Sequence, residues 1–94
     1  MTTPQIPPEE SLIEYPCDFP IKVMGPHTEV YIEEIVALVV THAPGFDAAQ
    51  ALVRRPSSTG KYIGLTLTVR AHSREQLDNI YRAVTGHPHT KYVL

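Results

Sequence analysis

The sequence predicts an α+β fold of the ferredoxin-like type, βαββαβ, with two helices on one face of a four-stranded antiparallel sheet. Three observations carry that reading. Phe19 to Pro26 reads as a short strand ending in a tight Gly25-Pro26 turn, followed at once by a helix-periodic run from Glu29 to His42. Tyr62 to Ala71 alternates strictly between apolar and other residues. Ser73 and Gln76 then form a capping box ahead of a second helical stripe.

Each element follows from its side chains. In the first strand, Phe19, Ile21 and Val23 share one face, while Lys22 and Met24 share the other. Thr28 suits the N-cap of the first helix and Glu29 its positive end. Ile32, Ile35, Val36 and Val39 recur at the spacing of a helix packed on a sheet. That helix is rich in β-branched residues, so its stability must come from burial rather than propensity. His42-Ala43-Pro44-Gly45 ends it. Ala51 to Arg55 reads as a short second strand, and Pro56 to Gly60 as a turn. In the third strand, Ile63, Leu65, Leu67, Val69 and Ala71 face one way and Tyr62, Gly64, Thr66, Thr68 and Arg70 the other. Leu77, Ile80, Tyr81 and Val84 make the second helix amphipathic, Gly86 stops it, and Lys91 to Leu94 reads as the last strand.

Composition narrows the range of functions. The chain has 94 residues, the length of one small domain. Residues 1–17 are expected to be a flexible, proline-rich segment (Pro4, Pro7, Pro8 and Pro16) that docks, if at all, near Leu12 to Tyr15; residues 18–94 form the domain. The net charge of -2, with both signs interspersed, argues against a nucleic-acid module, which usually carries a basic excess. The single Cys17 has no internal partner and nothing local to activate it, so it reads as a packing residue. No apolar run has the length of a membrane span and no leader pattern opens the chain, so a soluble, cytoplasmic protein is expected.

Four stretches together resemble the YbeD-like family of small bacterial proteins of unassigned function: Lys22-Val23-Met24-Gly25, His42-Ala43-Pro44, Ser57-Ser58-Thr59-Gly60-Lys61-Tyr62 and the terminal Val93-Leu94. The resemblance runs from about Leu12 to the end. It implies a ferredoxin-like fold related to ACT regulatory domains, which bind small molecules, often amino acids, and pair through their sheets or helices. It implies no catalytic residue. Genes of this family often lie beside one for lipoyl group transfer.

Two candidate sites emerge. The first is the turn at Lys22, Met24, Gly25, His27 and Thr28, where a glycine lets backbone approach a ligand and the helix start favours an anion. The second is the sheet face away from the helices, expected to collect Tyr62, Thr66, Thr68, Arg70 and Arg54. RNA-recognition modules use the same face, but Gly64 and Thr66 stand here where stacking aromatics would be needed. Ser57 to Lys61 lacks the first glycine and the magnesium-binding hydroxyl of a phosphate loop. His87-Pro88-His89 lacks nearby ligands to complete a metal site. An acylphosphatase needs an arginine near the first helix, and none precedes Arg54. The reading is therefore a non-enzymatic regulatory or interaction module without cofactor. It would take a small anionic ligand or a protein partner, or form a homodimer; nucleic acid and hydrolase readings rank behind.

Overall fold

The computed structural model describes residues 14–94. Four strands form one antiparallel sheet in the order β2-β3-β1-β4. They are β1 (Cys17–Pro26), β2 (Leu52–Pro56), β3 (Tyr62–Ala71) and β4 (Tyr92–Val93). Between them lie α1 (Glu29–His42), the single turn α2 (Ala48–Ala51) and α3 (Arg74–Thr85). The order is that of the expected βαββαβ plan. Placing β1 and β3 at the centre lets each crossover helix return to the same side of the sheet.

The sequence periods explain the layers. Helix α1 starts at Thr28, whose hydroxyl accepts the Tyr31 N–H at 3.1 Å, and α3 starts at Ser73, whose hydroxyl accepts the Gln76 N–H at 3.1 Å. Gln76 returns the bond by accepting the His72 N–H and also donates to the His42 carbonyl at 2.9 Å, tying the start of α3 to the end of α1. The odd-numbered residues of β1 and β3 meet the apolar stripes of the two helices. Ile21, Val23, Ile63, Leu65, Leu67 and Val69 pack with Ile32, Ile35, Val39, Leu77, Ile80 and Val84, and each is at most 3% exposed. No polar or charged residue is buried among the described residues. The core is held by apolar area and close packing, each fully buried aliphatic side chain contributing about 1.5–3 kcal/mol.

Several boundaries differ from the sequence reading, for physical reasons. β1 begins at Cys17 rather than Phe19 and continues through Pro26, because its pairing with β3 runs unbroken from Cys17 opposite Ala71 to Pro26 opposite Tyr62. Tyr15 and Cys17 already pack on the core, so the folded unit begins earlier than residue 18. The expectation for residues 1–13 lies outside the described residues. Ala51 belongs to α2 instead of β2, since the Asp47 carboxylate accepts the Ala49 N–H at 3.0 Å and caps a helical turn. β4 is two residues long, although Lys91 and Leu94 extend its bonding to β1 through Met24 and Lys22. This short strand leaves the outer side of β1 before Lys22 without a described strand neighbour, and Pro20 lies in that stretch.

Candidate functional site

The turn after β1 is closed by the protein itself. Gly25 is buried on the helix side, and a Cβ added there would fall on the ring of Tyr31, 2.6 Å from its hydroxyl oxygen. Its φ is not in the left-handed region, so the glycine is needed for space alone. Tyr31 is 2% exposed, and its hydroxyl lies 2.8 Å from the Thr90 hydroxyl. Burial pushes the Tyr31 phenol above its ordinary value near 10, and the Thr90 bond partly offsets that. The same ring packs nearly perpendicular to that of His87, with centroids 5.0 Å apart. His87 Nε2 lies 2.6 Å from the Glu34 carboxylate while Nδ1 accepts the His89 N–H, which places the ring proton on Nε2. His27 is also engaged: its N–H donates to the Lys61 carbonyl at 3.0 Å and its Nδ1 donates to the Gly60 carbonyl at 3.1 Å. Gly60 has φ +79°, a left-handed conformation that brings this β2–β3 turn against His27. Thr28 uses its N–H on the Pro26 carbonyl and its hydroxyl as the cap.

Among the described residues nothing covers the opposite sheet face, which is called the open face below. The even-numbered residues of β1 and β3 point there, so Lys22 stands opposite Thr66 and Met24 opposite Gly64. β2 adds Val53 and Arg55, β4 adds Tyr92, and Leu94 follows just after it. Together they line a hollow of about 240 Å³. Four of the six large apolar residues exposed among the described residues lie on this face: Val53, Tyr62, Tyr92 and Leu94. The apolar centre is bordered by cations. The ammonium of Lys91 sits over the Tyr62 ring, 5.7 Å from its centroid. Lys22 and Arg55 are exposed, and neither forms an ion pair among the described residues. Among the described residues no carboxylate side chain lines the hollow. At the far end of the face, Arg70 pairs with Asp18 at 3.2 Å.

Lys22 and Met24 lie on the open face, as the strand alternation predicts, together with Tyr62, Thr66, Thr68 and Arg70, and not within the turn itself. Gly25, His27 and Thr28 serve the packing and hydrogen bonding of the turn. Arg54 is corrected: it stands opposite Leu65 on the helix side and bonds Glu29 of α1 at 3.1 Å, while Arg55 occupies the open face. The reason is parity. Leu52 packs on the core, so Arg54, two residues on, shares its side of the strand. Tyr31, Val53, Arg55, Tyr92 and Leu94 were missed. The two-residue period anchored on Leu52 would have found Val53 and Arg55; nothing in the sequence marks the contact of Tyr31 with Gly25. Among the described residues no group of three histidine, cysteine or acidic side chains is placed to hold a metal ion. No described helix is long and apolar enough to cross a membrane.

A helix layer behind and, among the described residues, an uncovered, partly apolar, cation-bordered sheet face in front define a small α+β protein. The chain belongs to the family described as Protein of unknown function (DUF493), whose profile matches residues 10–94. It is 56% identical over 90 residues to a UPF0250 protein of Janthinobacterium sp. (strain Marseille), covering 96% of this chain and 98% of that one. A UPF0250 protein of Bordetella pertussis is 57% identical over 89 residues, covering 95% of this chain and 97% of that one. One from Ralstonia nicotianae is 58% identical over 92 residues, covering 98% and 94%. The resemblance noted from the sequence thus holds at the level of an uncharacterised bacterial family, and none of these relatives carries an enzymatic name.

Proposed function

We propose that this protein is a non-enzymatic, cytoplasmic interaction or regulatory module, ACT-like in scheme, that binds a ligand or partner on its open sheet face. One observation carries the reading. The exposed apolar residues are concentrated around a hollow whose bordering cations, Lys22 and Arg55, have no ion-pair partner among the described residues. Scattered exposed apolar side chains need no explanation, whereas a grouped set rimmed by polar residues marks contact sites. The alternative at the Gly25 turn has less support, because Tyr31 fills the space that the glycine provides. A lone half-buried cysteine suits a reducing compartment.

The test is site-specific photocrosslinking in cells that express the protein natively. A photoreactive residue at Val53 reports the open face, one at Val30 the start of α1 beside the turn, and one at Val40 the helix layer; all three positions are exposed. Adducts from Val53 are expected. Adducts from Val30 or Val40 in their place would move the site off the sheet and end this reading.

A further inference from the structure

We infer that the open face receives an acidic segment of another protein, which seats one large apolar side chain in the hollow and sets carboxylates against Lys22 and Arg55. This rests on reading the open face as the contact surface and adds the chemistry of what binds there.

Charge indicates the sign of the partner. The chain as a whole is slightly acidic, at -2, yet among the described residues the hollow is lined by Lys22 and Arg55 and by no Asp or Glu side chain. Lys91 stands beside the same face, over Tyr62. Arg54, Arg70 and Arg74 each have a carboxylate within 3.3 Å and Arg82 donates to the side-chain oxygen of Asn79 at 2.8 Å, so the other four arginines all have a side-chain acceptor within this chain. The guanidinium of Arg55 offers a planar fork suited to a carboxylate. Opposite charge across an interface speeds encounter and fixes register.

Size indicates a side chain rather than an independent small molecule. A hollow of about 240 Å³ lies below the roughly 300–1,000 Å³ of ligand pockets that enclose a drug-sized molecule. Its lining includes the small residues Gly64 and Thr66 and the large apolar side chains of Met24, Val53, Tyr92 and Leu94. Such a shape matches a single anchor residue inside a polar rim, the arrangement that carries most binding energy between proteins.

Two other occupants fit less well. In a face-to-face pair of identical chains, the two-fold axis would bring surfaces centred on Lys22 and Thr66 together, with like charges close to one another. For single-stranded RNA, the middle of the face lacks stacking rings: Met24, Gly64 and Thr66 occupy it, and on the two central strands the face carries a single ring, Tyr62, at one end of β3.

The test is a selection of random dodecapeptides on the full chain, counter-selected on the Lys22→Glu, Arg55→Glu double variant. Enriched peptides should carry at least two acids flanking a large apolar residue. They should bind the double variant at least tenfold more weakly, with backbone amide shifts at Met24, Arg55 and Thr66 on titration of the wild type. Val53→Asp, which keeps both cations, should weaken the same peptides to a similar extent and serves if the double variant is poorly folded. Neutral or basic enriched sequences, no enrichment, or equal binding to the variants would overturn the inference. So would a concentration-dependent mass that Lys22→Glu abolishes, which points to a second copy. Salt-sensitive retention on poly(U) that ignores Val53→Asp points to RNA and overturns it as well. If selection fails while Val53 still crosslinks in cells, only the partner chemistry is wrong; if Val53 is silent and Val30 or Val40 reacts, the choice of face falls.

Discussion

Gly25 and Gly64 sit on neighbouring strands, one residue apart in register, and face opposite ways. Beside Gly25 the ring of Tyr31 already occupies the place of a side chain. Beside Gly64 an added Cβ would meet only the Arg55 carbonyl at 3.6 Å and the Met24 methyl at 3.8 Å, both ordinary contact distances. The first glycine is therefore required by the packing of the domain. The second leaves room that nothing in the described residues takes up. The comparison teaches that a glycine in a strand signals close approach without saying whose; the functional hypothesis belongs to the one whose neighbour is missing.

Substitutions at five positions probe this contrast. The largest effect is expected at Leu65, next to Gly64 but facing the helices and 1% exposed. Leu65→Ala should cost about 2–5 kcal/mol in chemical denaturation, through lost burial and a residual cavity. Thr66→Ala, on the open side, should cost far less; equal costs would mean that something buries both faces alike.

Gly25→Ala comes next, at about 1–3 kcal/mol, because the Tyr31 ring must shift within a packed core. In a Tyr31→Ala background the same change should cost almost nothing, and a thermodynamic cycle reads that coupling directly. Additive effects would show that Gly25 is needed for some reason other than Tyr31.

Tyr31→Phe should cost about 0.5–1.5 kcal/mol at neutral pH, leaving Thr90 without its partner. It also carries a pH signature. Burial raises the Tyr31 phenol above its unfolded value, so its contribution is complete below about pH 10 and is lost as pH rises through and beyond that value. Thermal melts of the wild type should fall more steeply above pH 10 than those of the phenylalanine variant. Some decline should persist in the variant, since burial raises Tyr81 in the same direction.

Gly64→Ala should change stability least and in the opposite sense, gaining about 0.4–1 kcal/mol by restricting the unfolded chain. The same methyl would raise the floor of the hollow, so a more stable protein that binds its partner less well is the expected pair of results. A clear loss of stability would place unseen packing against Gly64.

How much of this could be read from the sequence depended on period. The alternation from Tyr62 to Ala71 and the stripes of α1 and α3 identify the fold, because every second or every third and fourth side chain meets the same core. Lys22, Met24, Thr66 and Arg70 follow from that alternation as residues of the open face. Arg54 and Arg55 did not separate, since Leu52 and Val53 are both apolar and a five-residue strand gives no second cycle to settle its phase. Tyr31 escaped because its neighbour value comes from Gly25, six residues earlier, and Thr90, far later in the chain. Contacts set by tertiary approach leave no periodic trace. Tyr92 and Leu94 were visible as a strand but not as the wall of a hollow, which exists only once β4 lies beside β1.

Pro20 has a consequence for how the protein behaves when concentrated. Lys22 exchanges bonds with Leu94, and the Met24 carbonyl accepts the Lys91 N–H, so the even residues of β1 direct their amide groups toward β4. Two residues before Lys22 no described strand pairs with this side of β1, and the position that would present an unpaired N–H donor there is a proline. A bare run of donors and acceptors there would template a strand from another molecule, the first step toward fibrous or amorphous precipitation. Proline interrupts that run at no cost to the β4 ladder, which does not extend so far. The sheet can thus leave a broad face accessible while one margin is guarded against indiscriminate strand-to-strand growth.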